Sequence, residues 1–152
     1  MAADRLSTIP AGDSLVVDTS ALIAYLRGNE TVSAAATHLM DGMVRSGRNP
    51  AIVSAISVAE LLVRPLAAGL EAASAVTAFL LGFPGIAIRS ADFLVAAEAA
   101  RIRLLTRAAT PDALIAATAT LTGSRWLVTN DHELRDRLST LEWDTNVVLL
   151  SE

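Results

Sequence analysis

Ser14-Leu15-Val16-Val17-Asp18-Thr19-Ser20-Ala21-Leu22-Ile23 joins a short apolar run, an acid and the start of a helical pattern within ten residues. Ser14 to Val17 is a short apolar run ending at an acid, the pattern of a strand buried on both faces. Thr19 to Arg27 carries Leu22, Ile23, Tyr25 and Leu26 at helical spacing, and Gly28-Asn29 stops it as a C-cap does. A strand that passes directly into a helix is the first half of a parallel α/β unit. The same alternation recurs outward along the chain. Ala51–Ser54, Ile86–Ile88, Trp126–Thr129 and Asn146–Leu150 read as four more strands. Between them, Glu30–Ser46, Ser57–Ala68, Glu71–Leu81, Ala91–Arg107, Thr110–Leu121 and Asp131–Leu138 read as helices, with Pro65 expected to kink or end its own. Residues 1–13 read as a loose N-terminal arm of a single domain spanning 1–152. The fold class is α/β, with a central, mostly parallel five-stranded sheet and helices on both faces.

Composition removes several kinds of chemistry. Of 152 residues 53% are apolar and the mean hydropathy is +0.48, which excludes a disordered charged tail. There is no cysteine, so no disulfide framework, thiolate metal site or cysteine nucleophile exists. All 12 basic residues are arginine, so a P-loop, Schiff-base or receiver-domain lysine is impossible. Sixteen acids leave a formal charge of −4, which does not suit a general nucleic-acid coat. The N-terminus lacks a basic segment followed by an apolar core, and the charge-free run Ala72–Ile88 contains Gly82, Pro84 and Gly85. A cytoplasmic protein with no membrane segment is expected.

The acids sit where a parallel sheet binds ligands, outside the carboxyl ends of its strands. Asp18 follows the first strand, Glu60 lies one turn into the helix after the second, and Asp131 follows the fourth. Asp112 opens a later helix, and Asp92 follows the third strand. Each has a structural reading too. Ser57-Val-Ala-Glu60 fits a capping box, Asn130-Asp-His-Glu133 fits a related one, and Thr110-Pro111-Asp112 fits a helix start. Asp18 fits an N-cap. Jointly, several carboxylates on one edge repel, and no lysine offsets them. A hard divalent cation does so, and carboxylate oxygens without thiolates suit Mg²⁺ or Mn²⁺, which commonly share a site with phosphate.

These residues also carry a family resemblance. Val16-Val17-Asp18-Thr19-Ser20-Ala21-Leu22-Ile23 resembles the opening motif of PIN-domain proteins, and Ser57-Val58-Ala59-Glu60-Leu61-Leu62 their second acidic motif. Pro111-Asp112-Ala113-Leu114-Ile115-Ala116-Ala117-Thr118-Ala119 resembles the third, and Leu127-Val128-Thr129-Asn130-Asp131 the fourth. Order and spacing match from about Ser14 to Leu150. The subgroup most resembled is the VapC-type toxins of bacterial toxin–antitoxin pairs.

The resemblance implies a PIN-like α/β/α sandwich acting as a metal-dependent endoribonuclease, a homodimer held inactive by a cognate VapB-type antitoxin. Asp18, Glu60, Asp112 and Asp131 match the acidic quartet that holds Mg²⁺ or Mn²⁺, with Glu133 as a substitute for Asp131. Ser20, Thr129 and Asn130 match supporting polar positions, and Asp92 falls outside the quartet. RNA affinity is then left to local arginines such as Arg64, Arg101, Arg103, Arg107 or Arg125. The apolar pattern of the helices Ala59–Leu70 and Glu71–Leu81 fits core packing against the sheet, or an apolar groove for a partner peptide. The alternative is a PIN-like module that binds RNA or protein without turnover. A receiver switch lacks its lysine and acid pair, a dehalogenase-type phosphatase lacks D-x-D at Asp18-Thr19-Ser20, and neither a glycine-rich dinucleotide turn nor G-x-S-x-G is present.

Overall fold

The computed structural model describes residues 2–28 and 31–152. Five strands, β1 (Leu15–Val17), β2 (Ala51–Ser54), β3 (Ile86–Arg89), β4 (Trp126–Thr129) and β5 (Asn146–Leu149), form one sheet in the order β3-β2-β1-β4-β5. Every pairing is parallel, with Val16 beside Ile52 on one side and Leu127 on the other. The helices are α1 (Ala2–Ser7), α2 (Thr19–Arg27), α3 (Ser33–Thr37), α4 (Ala55–Ala68), α5 (Leu70–Gly82), α6 (Phe93–Thr106), α7 (Thr110–Thr122) and α8 (His132–Leu138).

Strand residues alternate between two cores, as the two-residue period of a strand requires. Leu15, Val17, Val53 and Val128 pack with α2 and α3 on one face. Val16 and Leu127 pack with Ile102, Ile115 and Leu134 of α6, α7 and α8 on the other. The result is an α/β/α sandwich whose middle strands are buried on both sides. None of the described helices is long and apolar enough to cross a membrane.

Three local expectations change. The arm over 1–13 is not loose: α1 forms there, and Leu6 and Ile9 are fully buried in the first core. Arg48 and the Asn49 side-chain amide also bind the carbonyls of Ile9 and Pro10, so apolar burial and backbone bonds both hold the segment. Within the expected helix Glu30–Ser46, Glu30 lies outside the described residues, and the chain forms α3 and then a π-helix, His38–Arg45. The wider turn puts Leu39, Met40, Met43 and Val44 together in the core. Pro65 does not end α4, which runs on to Ala68. Proline there removes one ladder bond, while its own carbonyl still accepts from Gly69 N–H at 3.0 Å.

Candidate active site

The chain winds outward from β1 to β2 and β3, then returns to lay β4 and β5 on the other side of β1. The strand order therefore reverses between β1 and β4, and a crevice opens at their carboxyl ends. Asp18 and Thr129 border it.

Asp18 is buried and caps α2. Its Oδ2 accepts from the hydroxyls of Ser20 at 2.6 Å and Thr129 at 2.7 Å, and more distantly from Ser20 N–H at 3.4 Å. Those two hydroxyls stand 3.1 Å apart, and with both protons committed to Asp18 they receive others. Ser20 Oγ accepts from Asn130 N–H at 2.8 Å, and Thr129 Oγ1 accepts from Asp131 N–H at 3.0 Å. One small network thus ties the start of α2 to the end of β4 and holds the Asp18 carboxylate rigidly between them.

Asp131 caps α8, its Oδ1 accepting from Leu134 N–H at 3.0 Å. The cap is therefore Asp131 and not Asn130. Asn130 Oδ1 is one of two buried side-chain atoms with no hydrogen-bond partner among the described residues. Such an orphan costs roughly 1–3 kcal/mol, so it marks a place where a polar ligand gains. Glu133 is mostly exposed and pairs with Arg137 at 2.7 Å.

Glu60 is not the far end of a capping box. Helix α4 begins two residues earlier than expected, at Ala55, and is capped by Ser54, whose Oγ accepts from Ile56 N–H at 3.1 Å. Ser57 is inside the helix and fully buried. Glu60 Oε1 instead accepts from the Thr19 hydroxyl at 2.8 Å, and Thr19 Oγ1 lies 2.8 Å from Ser57 Oγ. Sequence reasoning missed Thr19 and Ser57. The signal was available for Thr19, which directly follows a strand-end acid, whereas Ser57 was absorbed by the capping pattern.

Asp112 lies in the first turn of α7, where the helix dipole favours negative charge, but α7 is capped at Ala109 with no side-chain bond, not at Thr110. Burial, followed by the charges of Asp18, Asp131, Glu60 and Glu133, raises the Asp112 pKa to about 6. The charges of Asp18, Asp131, Glu60 and Glu133 therefore reach Asp112 through space, and no arginine counters them there. Asp92 stands apart: it caps α6 through Val95 N–H, pairs with Arg89, and is absent from the charges felt by Asp112.

Among the described residues no three acids or histidines stand close enough to form a ready-made metal cage. The carboxylates of Asp18, Glu60 and Asp131 are instead engaged by hydroxyls and helix N–H groups. All the donors are hard oxygens, a set that suits Mg²⁺ or Mn²⁺ held partly through water rather than a soft metal. The unbalanced negative potential at Asp112 fits a cation there.

Beside Glu60 runs a groove of about 560 Å³, lined by Ile23, Leu26, Leu61, Arg64 and Val76 of α2, α4 and α5. Of the five arginines considered for RNA, Arg64 borders this groove. Arg101 and Arg125 line a separate cavity with Trp143 and Asp144, at the amino ends of β4 and β5. That is the opposite edge of the sheet from the acids.

Fold and site together define a parallel α/β protein with an acidic crevice at its switch point. A PIN domain family model matches residues 15–137, and the chain belongs to the PIN-domain family. Among solved structures, FitAcB from Neisseria gonorrhoeae is 23% identical with a TM-score of 0.68, covering 91% of this chain and 99% of that one. VapC20 from Mycobacterium tuberculosis, described as a sarcin-ricin loop cleaving toxin, is 18% identical with a TM-score of 0.65, covering 85% and 98%. DNA-bound VapBC from Salmonella typhimurium is 20% identical with a TM-score of 0.63, covering 90% and 98%. At such identities the likeness establishes the fold. A sequence search of curated proteins finds no match.

Proposed function

We propose that this chain is a metal-dependent endoribonuclease of the VapC toxin type, cutting phosphodiester bonds of a specific cellular RNA. The observation that carries the reading is the partly buried Asp112, which feels the charges of Asp18, Asp131 and Glu60 with no arginine opposing them. Membership of the PIN-domain family supports it, as does the RNA-cleaving toxin among its structural relatives.

In this reading Asp18, Asp112 and Asp131 hold Mg²⁺ or Mn²⁺, directly or through water. When bound, such a cation lowers the pKa of water and offsets charge on the scissile phosphate. Ser20 and Thr129 keep Asp18 aimed at the crevice, so little reorganisation is left for the reaction itself. Asn130 offers its unpaired oxygen to the same space. Glu60 completes the site, ligating the cation or orienting the attacking water. In-line attack leaves a 5′-phosphate and a 3′-hydroxyl. Arg64 is placed to meet backbone phosphate near Glu60.

Two partners belong to the proposal. A cognate VapB-type antitoxin is supported by the toxin–antitoxin complexes among the structural relatives and by the apolar groove beside Glu60. A homodimer is supported by the exposed row Phe93, Leu94, Leu104 and Leu105 on α6, and light scattering at the mass of one chain contradicts it.

The test is cleavage of total cellular RNA by the purified, antitoxin-free protein with Mg²⁺ or Mn²⁺. Discrete sites with 5′-phosphate ends are expected. EDTA, or Asp18→Asn, should reduce the rate by roughly a hundredfold or more. Cyclic phosphate ends or EDTA-resistant cutting contradict the mechanism. No cutting by folded, metal-loaded protein returns the binding-module reading.

A further inference from the structure

We infer that Thr19 is a positioning residue for Glu60, its hydroxyl forming a relay from the end of β1 to one oxygen of the carboxylate beside the buried Ser57. The inference rests on the nuclease reading of the acids and extends it to two residues outside the quartet.

The relay joins segments far apart in sequence. Thr19 is the first residue of α2, directly after Asp18, while Ser57 and Glu60 belong to α4. Thr19 Oγ1 lies 2.8 Å from Ser57 Oγ and 2.8 Å from Glu60 Oε1. Thr19 is 7% exposed and Ser57 is 0% exposed, while Glu60 is exposed, so the carboxylate is anchored from the buried side of the bond.

A hydroxyl has one proton, and a carboxylate only accepts. Thr19 is the donor toward both Glu60 Oε1 and Ser57 Oγ, so the two acceptors compete for its single proton, and the charged carboxylate is the stronger of them.

The effect is to aim a flexible side chain. Glu60 has three rotatable bonds, and it must lean back toward the start of α4 to reach the crevice. Arg64, one turn further along, forms no ion pair with Glu60 among the described residues, so Thr19 is the group that holds the carboxylate. The bond occupies Oε1 and leaves Oε2 with no partner among the described residues. That is the oxygen available to a cation or to the attacking water. Asp18 and Thr19 are consecutive, so a single backbone turn at the end of β1 sets both Asp18 and, through the relay, Glu60.

Thr19→Val keeps the shape and deletes the hydroxyl, Thr19→Ser keeps the hydroxyl and deletes a methyl, and Ser57→Ala removes the competing acceptor. The readouts are Mn²⁺ affinity of RNA-free protein by electron paramagnetic resonance, kcat and KM on an RNA that the wild type cuts, and the thermal midpoint. Thr19→Val should lower kcat roughly ten- to a hundredfold with KM within about twofold, and weaken Mn²⁺ binding several-fold. Thr19→Ser and Ser57→Ala should both stay within about threefold of wild type. Wild-type kcat and Mn²⁺ affinity in Thr19→Val overturn the inference. So does Thr19→Ser as impaired as Thr19→Val, because packing of the methyl would then be what matters. If Thr19→Val does not fold, Thr19→Ala decides, and its unchanged kcat and affinity overturn the inference. A wild type that binds Mn²⁺ and cuts nothing removes the nuclease reading alone, and the variants' Mn²⁺ affinities still judge Thr19. A wild type that does neither removes both.

Discussion

Asp112 is subject to two opposed pressures. The start of α7 favours its negative charge, while burial and the neighbouring acids disfavour it. The second set wins, and the pKa rises from 3.8 to about 6. The folded state therefore holds a proton that the unfolded chain releases between these values, and metal-free stability falls as pH rises through that window. Allowing for partial exposure to water, the loss is roughly 1–2 kcal/mol. Asp112→Asn in EDTA at pH 7.5 should melt above wild type, with the gap closing as pH falls toward 4. Excess Mg²⁺ should reverse the order, because only the wild type keeps the ligand. Scanning calorimetry across that range, with and without Mg²⁺, checks both. Equal midpoints throughout would contradict the coupling. Asp18 and Asp131 were legible because each follows a strand end, and Asp112 because it opens a helix. The hydroxyls around Glu60 were not, because Ser57-x-x-Glu60 has the spacing of a cap and only the true start of α4, at Ser54, shows otherwise.

Among the elements, the strands were the most legible part. A strand buried on both faces must be apolar throughout, and β2 and β4 start and end where their apolar runs do. The N-terminal segment was misread because its two anchors, Leu6 and Ile9, are sparse among polar residues, and their burial depends on a core made by distant parts of the chain. The π-helix left no periodic trace, since its wider turn departs from the spacing on which helix reading rests. The turn before β3 carries a strict requirement that the sequence showed only as a glycine. Gly85 has φ +86°, and an added Cβ would stand 2.7 Å from the Val44 carbonyl oxygen. Gly85→Ala should cost about 2 kcal/mol or more, from left-handed backbone strain and from displacement of the π-helix end. Urea unfolding would read it as a lower midpoint at unchanged slope, and a midpoint within error of wild type would contradict the contact.

For the whole molecule, alternation of strands and helices pointed to a parallel sheet, but strand order is a matter of pairing that no local run encodes. The order β3-β2-β1-β4-β5 brings the charges of Asp18, Glu60 and Asp131 within electrostatic reach of Asp112. It puts the ends of β1 and β4 side by side, so Asp18 and Thr129, 111 residues apart, share a hydrogen bond of 2.7 Å. It also separates the arginines, leaving Arg64 beside the acids and Arg101 and Arg125 at the far edge. The central claim is that Asp18, Glu60, Asp112 and Asp131 act as one cation site. Titrating the purified chain with Mn²⁺, beside Asp18→Asn, Glu60→Gln, Asp112→Asn and Asp131→Asn, tests it most directly. Saturable binding by the wild type, weakened roughly tenfold or more by each change at Asp18 and Asp112, is the expected result. Binding that is indifferent to Asp18 and Asp112 would contradict it.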